Sequence, residues 1–322
     1  MINDVRNTVL AVLNKNNYGY ISPSDFNLYS KQAQMEIFEE YFSSYNKTIN
    51  MENTRQSGTD YAEIIKPITE TIERFSQFKP LVPVAPLAYP SNNYYYPSLI
   101  TTGDEAYMIN KIVCYPDILT VGTNTSVVSN ALVDSAANFV TAGISAGDIV
   151  TNKTTSFSAK VVALISPTQL LLDADIFLST AEAYAVIDAS EFKDAEKVSQ
   201  GKITQLLNSL LTSPSNIFPA YTLGNEIFSL YPVTFTTMGQ VYAQYFRLPK
   251  APKWTYITLI NGEPSFDQTQ PDYQDFELPL EDEYKLATKI LEYCGMSIRE
   301  AEVVQFGMAQ QQHEQPTFSM QQ

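Results

Sequence analysis

Residues 79–97 read KPLVPVAPLAYPSNNYYYP, with prolines at 80, 83, 86, 90 and 97. Proline fixes φ and lacks a backbone N–H, so this stretch builds neither a helix nor the interior strand of a sheet. It has to run extended, at a sheet edge or across a surface, its own or a neighbour's. It also divides the chain. Helical patterning dominates before it and strand patterning after it, until helix returns near residue 280.

Upstream, Val5, Val9, Val12 and Leu13 recur at helical spacing. Ser22 is then a helix N-cap, Pro23 suits the first turn, and Asp25 completes a capping box. The helix that follows aligns Phe26, Tyr29, Ala33, Ile37, Tyr41 and Tyr45 on one face. A third helix is expected from about Thr59 to Phe75, carrying Tyr61, Ile64, Ile65, Ile68 and Ile72, with Pro67 kinking it or delaying its start. The link between the first two helices, residues 14–25, mimics a calcium loop. Asn14, Asn16 and Tyr18 fall at ligand positions, Gly19 at the turn and Asp25 at the end. Two amides and a phenol stand where carboxylates belong, and capping accounts for Ser22, Pro23 and Asp25. We read a helix–turn–helix link and no metal site.

Downstream, EAYMINKIVCY reads as a strand. Residues 118–190 differ in character. Short apolar runs (DIVTN, AKVVALI, QLLLD, AYAVID) alternate with turn residues, and Gly143 and Gly147 mark tight turns. This is a small all-β module inserted in a host domain. The host resumes with the part-helical SEFKDAEKVSQGKITQLLNSLLTSP. Strands are expected at NEIFSLYP, VTFTTM, QVYAQYFRLP and TYITLI. Val241, Ala243 and Tyr245 alternate with Tyr242, Gln244 and Phe246, which predicts a sheet covered on both faces, by helices on one side and another subunit on the other. Finally Leu286, Ala287, Ile290, Leu291 and Cys294 form a helical stripe. Gly295 reads as its C′ residue, and Ser297 with Glu300 caps a short last helix closed by Gly307.

The expected class is α+β: helical N- and C-terminal parts around an antiparallel β core, with an inserted small all-β module. The expected parts are an N-terminal helical region over 1–78, an α+β core with its proline-rich arm over 79–117 and 191–276, the inserted module over 118–190, C-terminal helices over 277–307, and a polar tail over 308–322.

Charge and residue usage narrow the chemistry. The chain carries 20 Lys and Arg against 35 Asp and Glu, a net −15. Such a chain repels phosphate backbones and does not grip nucleic acid by counterion release. Cys114 and Cys294 make neither a disulfide scaffold nor a zinc site, and we read them as buried small side chains. His313 is the single histidine, so histidine-based nucleophilic or metal chemistry has no material. No phosphate-loop, GxSxG or HExxH motif occurs. With no signal-like start and no apolar run of membrane length, a chain soluble where it is made is expected. The acidic groups are Glu39–Glu40, Asp173–Asp175 and Glu281–Asp282–Glu283. The last suits a helix N-terminus. Asp134 and Asp148 lie near turns. Arg247, Lys250 and Lys253 beside Trp254 are too few for a nucleic-acid face and suit a protein rim or a solvated loop. No catalytic residue, cofactor or metal is expected, and no enzyme.

The chain holds 21 Tyr and 17 Phe, and tyrosine suits protein contacts because it joins area to a polar tip. The candidate interface is Tyr29, Tyr41 and Tyr45 on the long helix, Tyr94, Tyr95 and Tyr96 in the arm, Trp254 near the basic trio, and Phe318 in the tail.

The segments FPAYTLGNEIFSLYP, VYAQYFRLPKAPKWTY and FELPLEDEYKLATKILEYCGMSIREAEVVQFG, with YGYISPSDFNLYSKQAQMEIFEEYF, resemble structural proteins of short-tailed, crAss-like phages of Bacteroidota. The insert resembles a small β-module of assorted phage structural proteins. The resemblance implies a head–tail connector or tail-barrel ring protein, assembled with itself as a closed, commonly dodecameric ring below the portal. It implies the portal and neighbouring tail ring proteins as partners, a place in the virion after synthesis in the host cytoplasm, and no membrane. DNA would pass through without specific binding, and an acidic lumen would let it slide. The resemblance supplies no catalytic residues. Two other readings stand beside it: a tail-associated host-surface or carbohydrate-binding module acting through the insert, and a carboxylate-based glycosidase for which no residue pair stands out.

Overall fold

The computed structural model describes residues 1–13, 21–55, 65–84, 92–155, 157–224, 226–260 and 262–298. In chain order, helices α1 (Ile2–Leu13), α2 (Pro23–Arg55) and α3 (Ile65–Glu73) come first. Strands β1 (Ser76–Pro80), β2 (Asn93–Tyr95) and β3 (Ala106–Cys114) follow. The insert holds β4 (Ile118–Thr123), β5 (Ser126–Val128), β6 (Ala131–Val133), β7 (Ile149–Asn152), β8 (Ser158–Ser166), β9 (Gln169–Leu172) and β10 (Ala183–Ile187). After it come β11 (Lys193–Lys197), helix α4 (Gln200–Asn208), β12 (Ala220–Leu223), β13 (Ile227–Tyr231) and β14 (Val241–Arg247). The hairpin β15 (Tyr256–Thr258) and β16 (Pro264–Phe266) and helix α5 (Glu283–Ile298) complete the described chain. Two compact units result, one from Met1–Phe75 with the chain from Pro249, the other from Ser76–Leu248. The class is α+β, with helices toward both ends of the chain and antiparallel-rich sheets between.

In the helical unit the expected cap forms. The Ser22 hydroxyl accepts the Asp25 N–H at 3.1 Å and donates to the Asp25 carboxylate at 2.6 Å. Residues 14–20, which carry the rest of the calcium-like spacing, lie outside the described residues. Helix α2 turns Phe26, Ala33, Ile37 and Phe38 inward, and α5 buries Leu286, Ala287, Ile290, Leu291 and Cys294, the expected stripe. Each large apolar side chain so buried contributes about 1.5–3 kcal/mol. The Lys289 ammonium ties the two helices by pairing with Glu36 at 3.2 Å and Glu40 at 2.8 Å. One expectation fails here. Helix α5 does not stop at Gly295 but runs to Ile298. A helical glycine costs about 1 kcal/mol relative to alanine, and burial of the stripe through Cys294 offsets that. Ser297 therefore falls within the last turn of α5 and not ahead of a new helix, while Glu300 and the expected last helix lie outside the described residues. The segment 249–276, assigned by sequence to the β core, belongs to this helical unit. Its TYITLI run makes only the two-stranded β15–β16 hairpin.

The second unit holds both large sheets. The host sheet has the order β1-β14-β3-β11-β12-β13-β2. Its pairs are antiparallel apart from β11 with β12, which run parallel because α4 crosses between them. The sheet closes on itself. Residues 82–84, continuing from β1, return onto β2: Val84 donates its N–H to the Asn93 carbonyl at 2.8 Å, and Tyr95 donates to the Val82 carbonyl at 2.9 Å. Pro83 sits opposite Tyr94 between those bonds, at a position where no N–H is asked for. The proline arm is thus the seam of a closed barrel, and residues 85–91 lie outside the described residues. Closure removes both sheet edges. The barrel is filled by Leu81, Tyr94, Ile112, Cys114, Tyr221, Phe228, Leu230, Val241, Ala243 and Tyr245.

Both faces of β14 are covered, but not as expected. Val241, Ala243 and Tyr245 face the barrel's own interior, so the sheet and not a helix layer covers them. Tyr242, on the other face, packs with Val113, Tyr115, Ile149 and Ile187 at the junction with the insert. The run VTFTTM forms turns, with Phe235 and Met238 buried, and not a strand. In the stretch read as part-helical, residues 193–197 are strand β11.

The insert is a seven-stranded antiparallel sheet, order β4-β10-β7-β8-β9-β6-β5. Strand β8 serves both halves: it pairs with β7 through Ser158–Lys160 and with β9 from Val161 on, where the register shifts between Val161 and Ala163 and again between Leu164 and Ser166. The curled sheet encloses its own core, including Leu132, Phe139, Val150, Leu170, Tyr184 and Val186. Gly143 and Gly147 hold φ of 76° and 102°, the positive values that their turns require.

Candidate interaction surface

The structure disperses the residues expected at an interface. Tyr94 is 0% exposed inside the barrel, and its hydroxyl donates to the Phe235 carbonyl at 2.9 Å. Trp254 is 2% exposed; its indole N–H donates to Asn3 Oδ1 at 3.2 Å and its ring lies 3.8 Å from the Arg6 guanidinium carbon. Neither can meet a sister copy without unfolding its surroundings, so both are corrected to core residues. Tyr41 donates to Asp282, and Tyr29 stacks on Tyr293 at 6.0 Å, both within the helical unit. Tyr45 is half-buried on α2. Tyr96 stacks on Phe228 at 5.4 Å, whereas Tyr95 is exposed. Phe318 lies outside the described residues. Among the described residues Tyr94, Tyr115, Tyr184, Tyr221, Tyr242 and Tyr245 are buried in the fold. Burial pushes the Tyr242 phenol up to about 12.

The most exposed apolar side chains among the described residues are aliphatic: Ile260, Leu210, Ile100 and Leu211. Between α4 and β12, residues 209–219 read SLLTSPSNIFP and carry no charge. Leu210 and Leu211 are 103% and 94% exposed, and Ile217 and Phe218 stand out beside them. The loop is ordered despite this. Ser213 donates its N–H to the Ser209 carbonyl at 3.0 Å, the Phe218 N–H reaches Ser215 Oγ at 3.3 Å, and the Thr234 hydroxyl donates to Asn216 Oδ1 at 2.6 Å. A second exposed pair, Leu99 and Ile100, tops the β2–β3 loop, with Ile100 97% exposed. Thr101 braces that turn, accepting the Ser98 N–H at 2.9 Å.

Leu99 and Ile100 overhang a groove of about 900 Å3 between β1 and β14 of the barrel and β7 and β8 of the insert. Its lining includes the aromatic side chains Phe78, Tyr115, Phe157 and Tyr242. Phe78 stacks on Tyr242 at 5.0 Å, which fixes the floor. Both carboxylates at the groove have hydrogen-bond donors. Lys79 pairs with Asp104, and Asp173 accepts the Lys160 N–H at 2.8 Å. Such a trench has the chemistry to take apolar side chains of a protein.

The carboxylates have structural work. Asp134 accepts the Tyr184 hydroxyl at 2.7 Å and the Ala136 N–H at 2.9 Å. Asp148 accepts the Ser145 N–H at 2.8 Å and the Ala189 N–H at 3.2 Å. Asp282, at the start of α5, pairs with Lys285 at 3.2 Å. Of the basic trio, Lys253 pairs with Asp272. Among the described residues no cluster of three or more His, Cys, Asp or Glu side chains is placed to hold a metal ion, and no helix is long and apolar enough to cross a membrane.

A scan against protein-family models finds no match, and a search of the curated proteins finds no significant relative.

Proposed function

We propose that this chain is a virion structural protein that assembles as an oligomeric ring of the head–tail connector or tail barrel below the portal, where it lines or supports the DNA conduit. The observation that carries the reading is the loop at 209–219, which holds Leu210, Leu211, Ile217 and Phe218 in water on an ordered, uncharged backbone. Solvent rarely meets so concentrated an apolar patch unless another protein covers it. The partners are copies of the same chain in a closed, dodecameric ring, the portal and neighbouring tail ring proteins. DNA passes without specific binding, which a net charge of −15 favours.

Native mass spectrometry of purified protein over a range of concentrations, with electron microscopy of protein and of virions, tests this. Closed rings of one stoichiometry are expected. Monomers at every concentration, with no virion association, would overturn it.

A second reading, a tail-associated host-surface or carbohydrate-binding module acting through the insert, draws on Phe157, Val162 and Ile165, which the insert exposes at and along β8. Under it, Val162→Glu with Ile165→Glu abolishes binding to host cells or glycan arrays and leaves the oligomeric state unchanged.

A further inference from the structure

We infer that successive copies join head to tail, the uncharged loop at 209–219 of one copy seating in the groove beneath Ile100 of the next. This rests on the ring reading and names its joint.

The topology sets the two surfaces apart. The groove is walled by β1 and β14, and the loop leads into β12. Around the closed sheet, β12 lies three strands from β14 through β11 and β3, and three from β1 through β13 and β2. Loop and groove therefore stand on opposite walls of one barrel. A pair of copies facing each other cannot fill both grooves, so the contact repeats from copy to copy. A repeating contact of this kind closes as a ring when its rotation permits.

Charge points to the same occupant. Copies of net charge −15 repel one another, and they approach most easily where carboxylates are absent. The loop has none in its eleven residues, SLLTSPSNIFP. At the groove, Asp104 is paired with Lys79, and Asp173 accepts the Lys160 backbone N–H at 2.8 Å. Seating the loop therefore buries no unpaired charge of its own, and its internal hydrogen bonds have already ordered the backbone, which lowers the entropy lost on docking.

Two variants test the joint: Leu210→Asp with Leu211→Asp in the loop, and Ile100→Asp with Phe157→Asp in the groove. All four side chains are exposed, so circular dichroism and thermal melting should match the parent. Each variant alone should weaken self-association about 100-fold or more and run as a monomer in native mass spectrometry. Mixed in equal amounts they should form dimers and nothing larger, because one intact loop and one intact groove remain per pair. Oxidation of a Leu211→Cys, Ile100→Cys protein should give a ladder of cross-linked copies. Variants that assemble as the parent does, with no ladder from rings that do form, would overturn this joint and leave the ring reading standing. A parent that is monomeric throughout would overturn both.

Discussion

The Tyr184 hydroxyl donates to the Asp134 carboxylate at 2.7 Å within the inserted module, and both oxygens press on the bare face of Gly122. Tyr184 and Gly122 are cross-strand neighbours on β10 and β4. A Cβ at residue 122 would lie 2.7 Å from each oxygen. Burial, then the bond to Asp134, holds the phenol well above its ordinary range. Gly122→Ala should therefore destabilise the module, and Tyr184→Phe should cost about 1–3 kcal/mol because it strips a donor from a buried carboxylate. Chemical denaturation of the single and double variants checks this. Tyr184→Phe with an unchanged midpoint would count against the account.

Gly239 joins the barrel to the insert. It holds φ of +84°, and a methyl there would collide with Thr151 Oγ1 and lie 3.0 Å from Ile187 Cδ1. Gly239→Ala should cost about 1–3 kcal/mol from strain and overlap combined. Thr151→Ala should relieve part of the overlap in the double variant. Hydrogen exchange should show faster opening at β7 and β10 in Gly239→Ala, and parental exchange there would refute the prediction.

Glu182 should make the module acid-sensitive. It is buried, and burial alone would raise its pKa, but bonds from Ser179 Oγ at 2.9 Å, Asn152 Nδ2 at 2.9 Å and the Leu178 N–H at 3.2 Å bring the net value below its ordinary 4.5. A carboxyl lowered in the folded state binds fewer protons than in the unfolded chain. Its stabilisation is thus present above the unfolded pKa and lost as pH falls through the folded one. Between about pH 5 and pH 3 the parent should lose more stability than Glu182→Gln. Melting curves across that window that run parallel for the two proteins would contradict it.

Both cysteines are free and buried, and burial pushes the thiols of Cys114 and Cys294 up to about 12. The thiolate is the reactive form. At pH 8 the folded protein should resist thiol reagents that both cysteines consume at once after denaturation. Rapid labelling of the native protein would show that one of the cores opens. The same inertness keeps the proposed cysteine cross-link free of background.

Local rules carried far along this chain. The Ser22–Asp25 cap, the α5 stripe and the short strands between residues 118 and 187 follow from short-range chemistry: a hydroxyl near free N–H groups, a 3.6-residue apolar period, and apolar runs broken at turns. Pattern alone misplaced Tyr94 and Trp254. A tyrosine in a proline arm and a tryptophan beside basic residues read as surface, yet one fills a closed barrel and the other lies beneath Arg6. The part-helical reading of 191–214 did not mark where its helix stops: α4 ends at Asn208 and leaves Leu210 and Leu211 in solvent.

Where a residue's partners lie within a few positions of it, as at a cap or along one helix stripe, order along the chain was enough to name them. The seam between Val84 and Asn93, the parallel pairing of β11 with β12 and the placing of loop and groove on opposite walls were decided only by the closed sheet. Those contacts join distant segments, and periodicity records which faces of an element are apolar without recording what covers them.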